Sequence, residues 1–449
     1  MKQIGAVMAG ALLLAGSTLR ADAMSFPGRS NELQIRGNMN CPVVSGNGGR
    51  AFLQLTLTAP EGAGRERKPV NLCVVLDRSG SMGEEGKIVN AKAALNALID
   101  RLSRDDIFSL VIYDDVVDVL RPAGCAGDRR ELHDLVEGIQ PRGWTNLGGG
   151  MLEGFSQVER YAGKEYVNRV VLLSDGLANR GITDPRELGR EVRRYRECSI
   201  SLTTMGVGLD YNENLMTSLA GEGGGNYYFI ESPRHLASLL GKEFDMLGCV
   251  VAQSTAIELT LGRGVNVLDV VGTDFTAGDG RLRIPVGDVY AGQRREFTVE
   301  LDIPPGTGTR LVAEGDVRFE PVRGDRVSIS RLGSVNVTYS ADAAEIERHR
   351  DMETQARADV ALSTRGVERA MNALDQGKGD VAQEELAAAR RMLQVSPAAG
   401  GSLSGAAIRA QDAKLDTYQQ RLKDGPGALP KAKKSIQYDN YRTQRGEEK

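Results

Sequence analysis

Val70-Asn71-Leu72-Cys73-Val74-Val75-Leu76 runs directly into Asp77-Arg78-Ser79-Gly80-Ser81-Met82. The first half is apolar on both faces of an extended chain, as a strand buried on both sides of a sheet must be. The second half is an oxygen-rich loop, and Gly80 and Gly83 are expected to permit its tight backbone. A helical spacing of apolar residues over 87–102 follows. Farther out, strands are expected at 107–113, 167–174 and 200–207, with a short last one at 226–230. Helical patterns fall at 129–139, 148–161, 185–196, 212–220 and 234–247. Near-continuous apolar strands alternating with helices imply a doubly wound, mostly parallel α/β sheet covered on both faces. Ligands of such sheets sit beyond the carboxyl ends of the strands.

Two other loops fall at that same edge. Gly143-Trp144-Thr145-Asn146 precedes a helix, and Ser174-Asp175-Gly176 ends an apolar strand. Five oxygen donors, Asp77, Ser79, Ser81, Thr145 and Asp175, are therefore expected to converge from three separated segments. Carboxylates and hydroxyls are hard ligands, suited to Mg²⁺, Mn²⁺ or Ca²⁺ and not to zinc or copper. Two carboxylates roughly cancel a divalent charge without saturating its coordination. A position held by water could then pass to a carboxylate of a partner protein. Without a cation, Asp77 and Asp175 would face each other as like charges. Arg78 is expected to point to solvent, the usual state of a charged side chain.

At these residues the sequence resembles the von Willebrand factor type A (VWA) superfamily and its metal-ion-dependent adhesion site. Asp77, Ser79 and Ser81 match its first loop, Thr145 the second and Asp175 the third. The resemblance implies direct ligation by Ser79, Ser81 and Thr145, direct or water-mediated ligation by the two aspartates, and an acidic residue of a partner as sixth ligand. Leu173-Ser174-Asp175-Gly176-Leu177-Ala178-Asn179, with Gly181-Ile182-Thr183-Asp184 after it, resembles a bacterial exported branch related to inter-alpha-trypsin inhibitor heavy chains. The resemblance covers roughly residues 70–247 strongly and the remainder only by general arrangement.

The flanks read differently. After the VWA segment (69–247), strand patterns at 257–261, 265–271, 281–284, 295–301, 310–319 and 327–340 are separated by glycine-rich turns, which suggests a β-sandwich over 248–340. Residues 24–68 carry one alternating strand, 50–58, with no sheet of their own. They are expected to join that sandwich, making the VWA domain an insertion into it. Residues 341–424 turn Ala-, Glu- and Arg-rich and read as a helical hairpin with a third helix candidate. Residues 425–449 read as a basic, tyrosine-containing tail, mobile or laid on the surface. Residues 1–23 combine a short positive start, an apolar run and Ala21-Asp22-Ala23, the pattern of a secretory signal peptide. The expected location is therefore outside the cytoplasm, periplasmic or extracellular, with no later stretch apolar enough to span a membrane.

Loss of Lys2, Arg20 and Asp22 would move the formal charge only from −4 to −5, which does not suggest a nucleic-acid surface. With five cysteines at least one must stay free or pair between chains. Cys73 reads as a buried small hydrophobe, and Cys41 and Cys249 flank the VWA segment where they could pair. His133, His235 and His349 lack neighbours at zinc spacing. Arg323-Gly324-Asp325 reads as a turn. Ser79 and Ser81 have no histidine base, so nucleophilic catalysis has little support. The expected function is metal-dependent protein binding without catalysis. The rival readings are a metal-dependent hydrolase relying on Glu84 or Glu85, and an envelope-assembly component whose metal only stabilises it. Oligomeric state is not legible.

Overall fold

The computed structural model describes residues 33–61, 67–322, 327–425 and 427–446. The signal-peptide reading and the Arg323-Gly324-Asp325 turn lie outside the described residues.

The chain begins in a sandwich with β1 (Gln34–Met39), β2 (Val43–Ser45) and β3 (Gly49–Thr58). It leaves for the α/β domain: β4 (Val70–Asp77), α1 (Lys87–Ile99), β5 (Ile107–Tyr113), β6 (Val117–Cys125), α2 (Arg129–Glu137), α3 (Leu147–Glu159), β7 (Val167–Ser174), α4 (Pro185–Glu197), β8 (Ile200–Val207), α5 (Glu213–Gly223), β9 (Gly224–Ile230) and α6 (Leu236–Leu247). It then returns through β10 (Val250–Leu261), β11 (Asn266–Val270), β12 (Thr276–Gly278), β13 (Arg281–Tyr290), β14 (Arg294–Ile303), β15 (Thr309–Pro321) and β16 (Ser328–Ser340). A helical layer closes the chain: α7 (Ala343–Arg348), α8 (Met352–Asp375), α9 (Gly379–Gln394), α10 (Leu403–Arg421) and α11 (Leu429–Gln444).

The insertion expected from the sequence is the architecture found. β3 pairs along its whole length with β14, whose residues lie beyond the whole α/β domain in sequence, in the sheet β1-β3-β14-β11. That sheet packs on a second, β12-β13-β10-β15-β16-β2. Both crossings into the α/β domain pass the same sandwich turn: Gly292 N–H donates to Pro60 and Ala291 N–H to Cys249. The α/β sheet has the order β6-β5-β4-β7-β8-β9, parallel except at β6. β4, β5, β7, β8 and β9 are buried at every residue, which accounts for their largely apolar runs.

Packing sets the height of the loops. In α3 a Cβ at Gly150 would lie 2.5 Å from the Tyr113 ring and one at Gly154 2.3 Å from Val75, so this helix sits unusually close to β4 and β5. Phe155 of α3 stacks on Tyr195 of α4 at 4.3 Å. Each such buried aromatic contributes roughly 1.5–3 kcal/mol. The loop ahead of α3, which holds Thr145, is thereby pinned to the sheet edge.

Several expectations change. β6 was not anticipated. It is a half-exposed edge strand with Pro122 and two register shifts, so it lacks the apolar run of its neighbours. The helical region opens with a short separate helix, α7, ahead of the hairpin, and Asp351 caps α8 through Glu353 and Thr354 N–H. The stretch read as a tail contains α11, whose Ile436 and Tyr441 are buried. Tyr441 packs edge-on to Tyr227 at 5.7 Å in the α/β core. Lys434 reaches Glu213 and the Tyr211 carbonyl. Aromatic and ionic anchoring thus fixes the segment where composition suggested none. Cys41 and Cys249 are both unpaired; Cys41 is buried beside Arg350, and Cys249 is exposed after α6.

Candidate functional site

Each of the three loops leaves a strand or enters a helix at the carboxyl edge of the α/β sheet. β4 ends in Asp77, and the chain turns through a 3₁₀ segment, Gly80–Gly83, into α1. The left-handed residues of this turn are Glu85 (φ 51°) and Gly86 (φ 70°), in place of the expected Gly80 and Gly83. Backbone hydrogen bonds tie the loops together. Gly80 N–H donates to Gly143 O at 3.1 Å, Arg142 N–H to Arg78 O at 2.8 Å, and Asn179 N–H to Thr145 O at 3.2 Å. Asn179 returns a bond by accepting Thr145 N–H at 3.0 Å.

All five donors named from the sequence come together. Asp77 accepts from Ser79 N–H at 2.8 Å and from Ser174 Oγ at 2.7 Å. The hydroxyls of Ser79 and Ser81 lie 3.2 Å apart, and Ser81 donates to Asp175 Oδ1 at 2.8 Å. A Cβ on Gly176 would fall 3.1 Å from Thr145 Oγ1 and 3.8 Å from Ser81 Oγ, so a glycine keeps space open between those hydroxyls. Asp77, Ser79, Thr145 and Asp175 are buried. Burial raises the Asp77 carboxyl to about 6, and the charge of Asp175 adds to this while the Ser79 and Ser174 hydrogen bonds oppose it.

Two features escaped the sequence reading. Lys87, the first residue of α1, is buried, with Nζ 2.8 Å from Asp175 Oδ2 and 3.7 Å from Asp210. Burial alone would lower its pKa, but Asp175 and then Asp210 raise it. A lysine opening a helix opposes the helix dipole, and that mismatch was the available signal. Arg78 does not point to solvent. It is buried, 2.7 Å from Asp114 and paired also with Asp118. Asp114 in turn takes Arg142 from the second loop at 2.7 Å and accepts Asn146 N–H on its carbonyl. Arg78 therefore braces one loop against another.

Around this polar cluster the surface is apolar. Of the six exposed large hydrophobic residues among the described residues of the α/β domain, five follow a strand end or open a helix at this edge. They are Val89, Val116, Trp144, Leu177 and Leu209; Tyr161 is the exception. Trp144 is held by Arg180, whose guanidinium lies 5.6 Å from the ring centroid.

These loops and this sheet define a class. Residues 71–242 match the family model of the von Willebrand factor type A domain, and this part of the chain has that fold. Such domains commonly mediate protein–protein interactions. The chain is 28% identical over 211 residues to an uncharacterised protein of Escherichia coli (strain K12), YfbK, covering 47% of this chain and 37% of that one. It is more distantly similar to the human inter-alpha-trypsin inhibitor heavy chain H4, 32% identical over 176 residues, which span 37% of this chain and 18% of the relative. The chain thus spans well under half the length of either. A solved von Willebrand factor type A protein from Catenulispora acidiphila superposes with a TM-score of 0.70 at 16% identity, over 94% of this chain and 99% of that one. That likeness extends the shared fold through the sandwich and the helical layer.

Proposed function

We propose that the carboxyl-edge cluster holds a divalent cation through Asp77, Ser79, Ser81, Thr145 and Asp175, and that the chain uses it to bind an acidic side chain of a protein partner. The donor set suits the ion: only oxygens, only two of them charged, around a space that Gly176 leaves free. Magnesium is the leading choice for so compact a set, with Mn²⁺ and Ca²⁺ as alternatives. When bound, the cation supplies a Lewis-acidic position open to an incoming carboxylate.

The observation that carries the reading is the charge balance that Lys87 creates. Among the buried groups, two carboxylates and one ammonium leave the cluster one charge negative, with Asp210 exposed to solvent outside it. A divalent ion would turn it one charge positive, so the loaded site attracts an anion where the unloaded one repels it. Ser174 and Ser79 N–H hold Asp77, and Lys87 and Ser81 hold Asp175, so neither carboxylate must reorganise. The apolar rim of Trp144, Leu177, Val116 and Leu209 then selects a partner whose acidic residue stands among apolar neighbours, the arrangement of an interface core. Glu84 and Glu85, on which a hydrolase would depend, are exposed in the turn before α1. We place this activity outside the cytoplasm, periplasmic or extracellular, on the strength of the N-terminal signal pattern.

The test is capture of partners from an extracytoplasmic extract by the full chain, in Mg²⁺ and in chelator, beside Thr145→Ala. The reading predicts a partner retained only in Mg²⁺ and lost with Thr145→Ala. Retention that ignores both chelator and substitution would sink it.

A further inference from the structure

On the opposite, amino-edge side of the α/β domain, its α4–α5 wall, the sandwich and the helical layer line a half-open cavity of about 580 Å³. That volume is within the range of small-molecule sites, about 300–1,000 Å³. Five arginines line it: Arg196 at the end of α4, Arg295 on β14, Arg365 and Arg369 on α8, and Arg445 just beyond α11. Three carboxylates share the wall, Asp269, Asp274 and Glu368. Asp269 is bound by Arg365, which also takes Glu300 at 2.8 Å. Arg369 pairs with Glu385 at 2.7 Å, and Glu368 accepts from Gln444 at 2.6 Å.

Arg196 stands apart from these. It donates to the carbonyl oxygens of Gly221 (3.4 Å) and Glu222 (3.2 Å) and forms no ion pair among the described residues. Asp288, the acidic group that most favours its charge, is itself committed to Arg169 at 2.8 Å. Burial lowers the Arg196 guanidinium to about 10, with Asp288 opposing and Arg445 adding to the effect. A partly buried cation that only carbonyls satisfy is an expensive arrangement, since proteins ordinarily pair buried charge. The cavity in front of it has room for the missing anion.

We propose that this cavity binds a small polyanion bearing phosphate or carboxylate groups, with Arg196 at its base and Arg369 and Arg445 at its flanks. A guanidinium fork matches the two oxygens of either group. Because the walls belong to three layers, the ligand would tie α4, the sandwich and α8 together. The site shares no residue with the carboxyl-edge cluster, so it stands independently of the metal reading.

The experiment is calorimetric titration of the full chain with inorganic pyrophosphate and, separately, citrate, both in chelator so that the metal loops take no part. The two probes distinguish a phosphate ligand from a carboxylate one. Saturable binding of either is expected, weakened about tenfold or more (1.4 kcal/mol) by Arg196→Gln. Arg369→Gln, at a largely exposed position, should weaken it by a smaller factor and keeps the test open should Arg196→Gln not fold. Asp77→Asn should leave it unchanged. Failure of both probes to saturate at millimolar concentration, or equal affinity in the arginine variants that fold, overturns the proposal.

Discussion

The two edges of one parallel sheet carry two buried polar clusters built on opposite principles. At the amino edge Arg169 is wholly buried between Glu243 of α6 and Asp288 of β13, at 2.6 and 2.8 Å, with Thr203, Ser201 and Tyr290 completing the network. Burial alone would lower the Arg169 pKa, yet Tyr290 and the two carboxylates drive it upward, the mark of a cation whose charge is balanced by its surroundings. At the carboxyl edge Asp175 alone has a close cation, Lys87, Asp77 is held only by hydroxyls and one backbone amide, and the surface beyond is apolar and exposed. The amino-edge cluster joins the α/β domain to the sandwich. The carboxyl-edge cluster is left electrically incomplete, which suits a place where something must bind.

Breaking the closed cluster should have the largest effect. Arg169→Met leaves two buried carboxylates without their cation, and a loss of about 3–5 kcal/mol is expected in chemical denaturation, whether or not metal is present. An unfolding midpoint near that of the unsubstituted chain would mean that the amino edge is not the structural joint described here.

Next in size is the anchoring of α11. Glu213 accepts both Lys433, at 2.6 Å, and Lys434, and all three are at least largely buried. Burial alone would raise the Glu213 pKa, but the two lysines hold it below the ordinary value of 4.5. A lowered carboxyl pKa gives stability that is present above pH 4.5 and is lost as pH falls through the lower folded value. Glu213→Gln should therefore cost about 2–3 kcal/mol at pH 7. It should also remove the acid-induced loss of hydrogen-exchange protection in α11. If wild type and variant lose that protection over the same pH window, the ion pairs do not hold the helix.

The smallest effect on stability belongs to the open cluster's rim. Trp144→Ala and Leu177→Ala change exposed side chains, so stability should move by no more than about 0.5 kcal/mol. Binding of a captured partner should nonetheless weaken about tenfold, because aromatic anchors carry much of an interface's energy. Unchanged affinity in surface-plasmon titrations would remove the rim from the recognition surface.

The same contrast decides what is legible in the sequence. The five residues proposed to hold the cation sit in short local motifs at strand ends and helix starts, so the convergence of Asp77, Ser79, Ser81, Thr145 and Asp175 was legible one loop at a time. So were the parallel sheet, its insertion into the sandwich and the helical region after it, because buried strands and amphipathic helices leave periodic traces. The closed cluster left no such trace. Arg169 lies inside the apolar strand Val167–Ser174, and its partners come from 74 and 119 residues away. Lys87 and Arg78 were misjudged or overlooked for a related reason: a charged residue reads as exposed until its long-range partner is known. In α11, the spacing of Ala432, Ile436 and Asn440 with Tyr441 was a helical face, but six basic residues after position 425 obscured it.

The central claim is that the open cluster is completed by a divalent cation. Its most direct test is unfolding of the full chain in chelator and in Mg²⁺, Mn²⁺ or Ca²⁺, beside Asp77→Asn. The substitution keeps the shape of the side chain and removes the buried charge. In the unsubstituted chain an ion at a hundred times its Kd should add about 2.7 kcal/mol. In Asp77→Asn that increment should vanish, while stability in chelator equals or exceeds that of the unsubstituted chain. An unsubstituted chain indifferent to all three ions, or a variant that responds to them equally, would contradict the account.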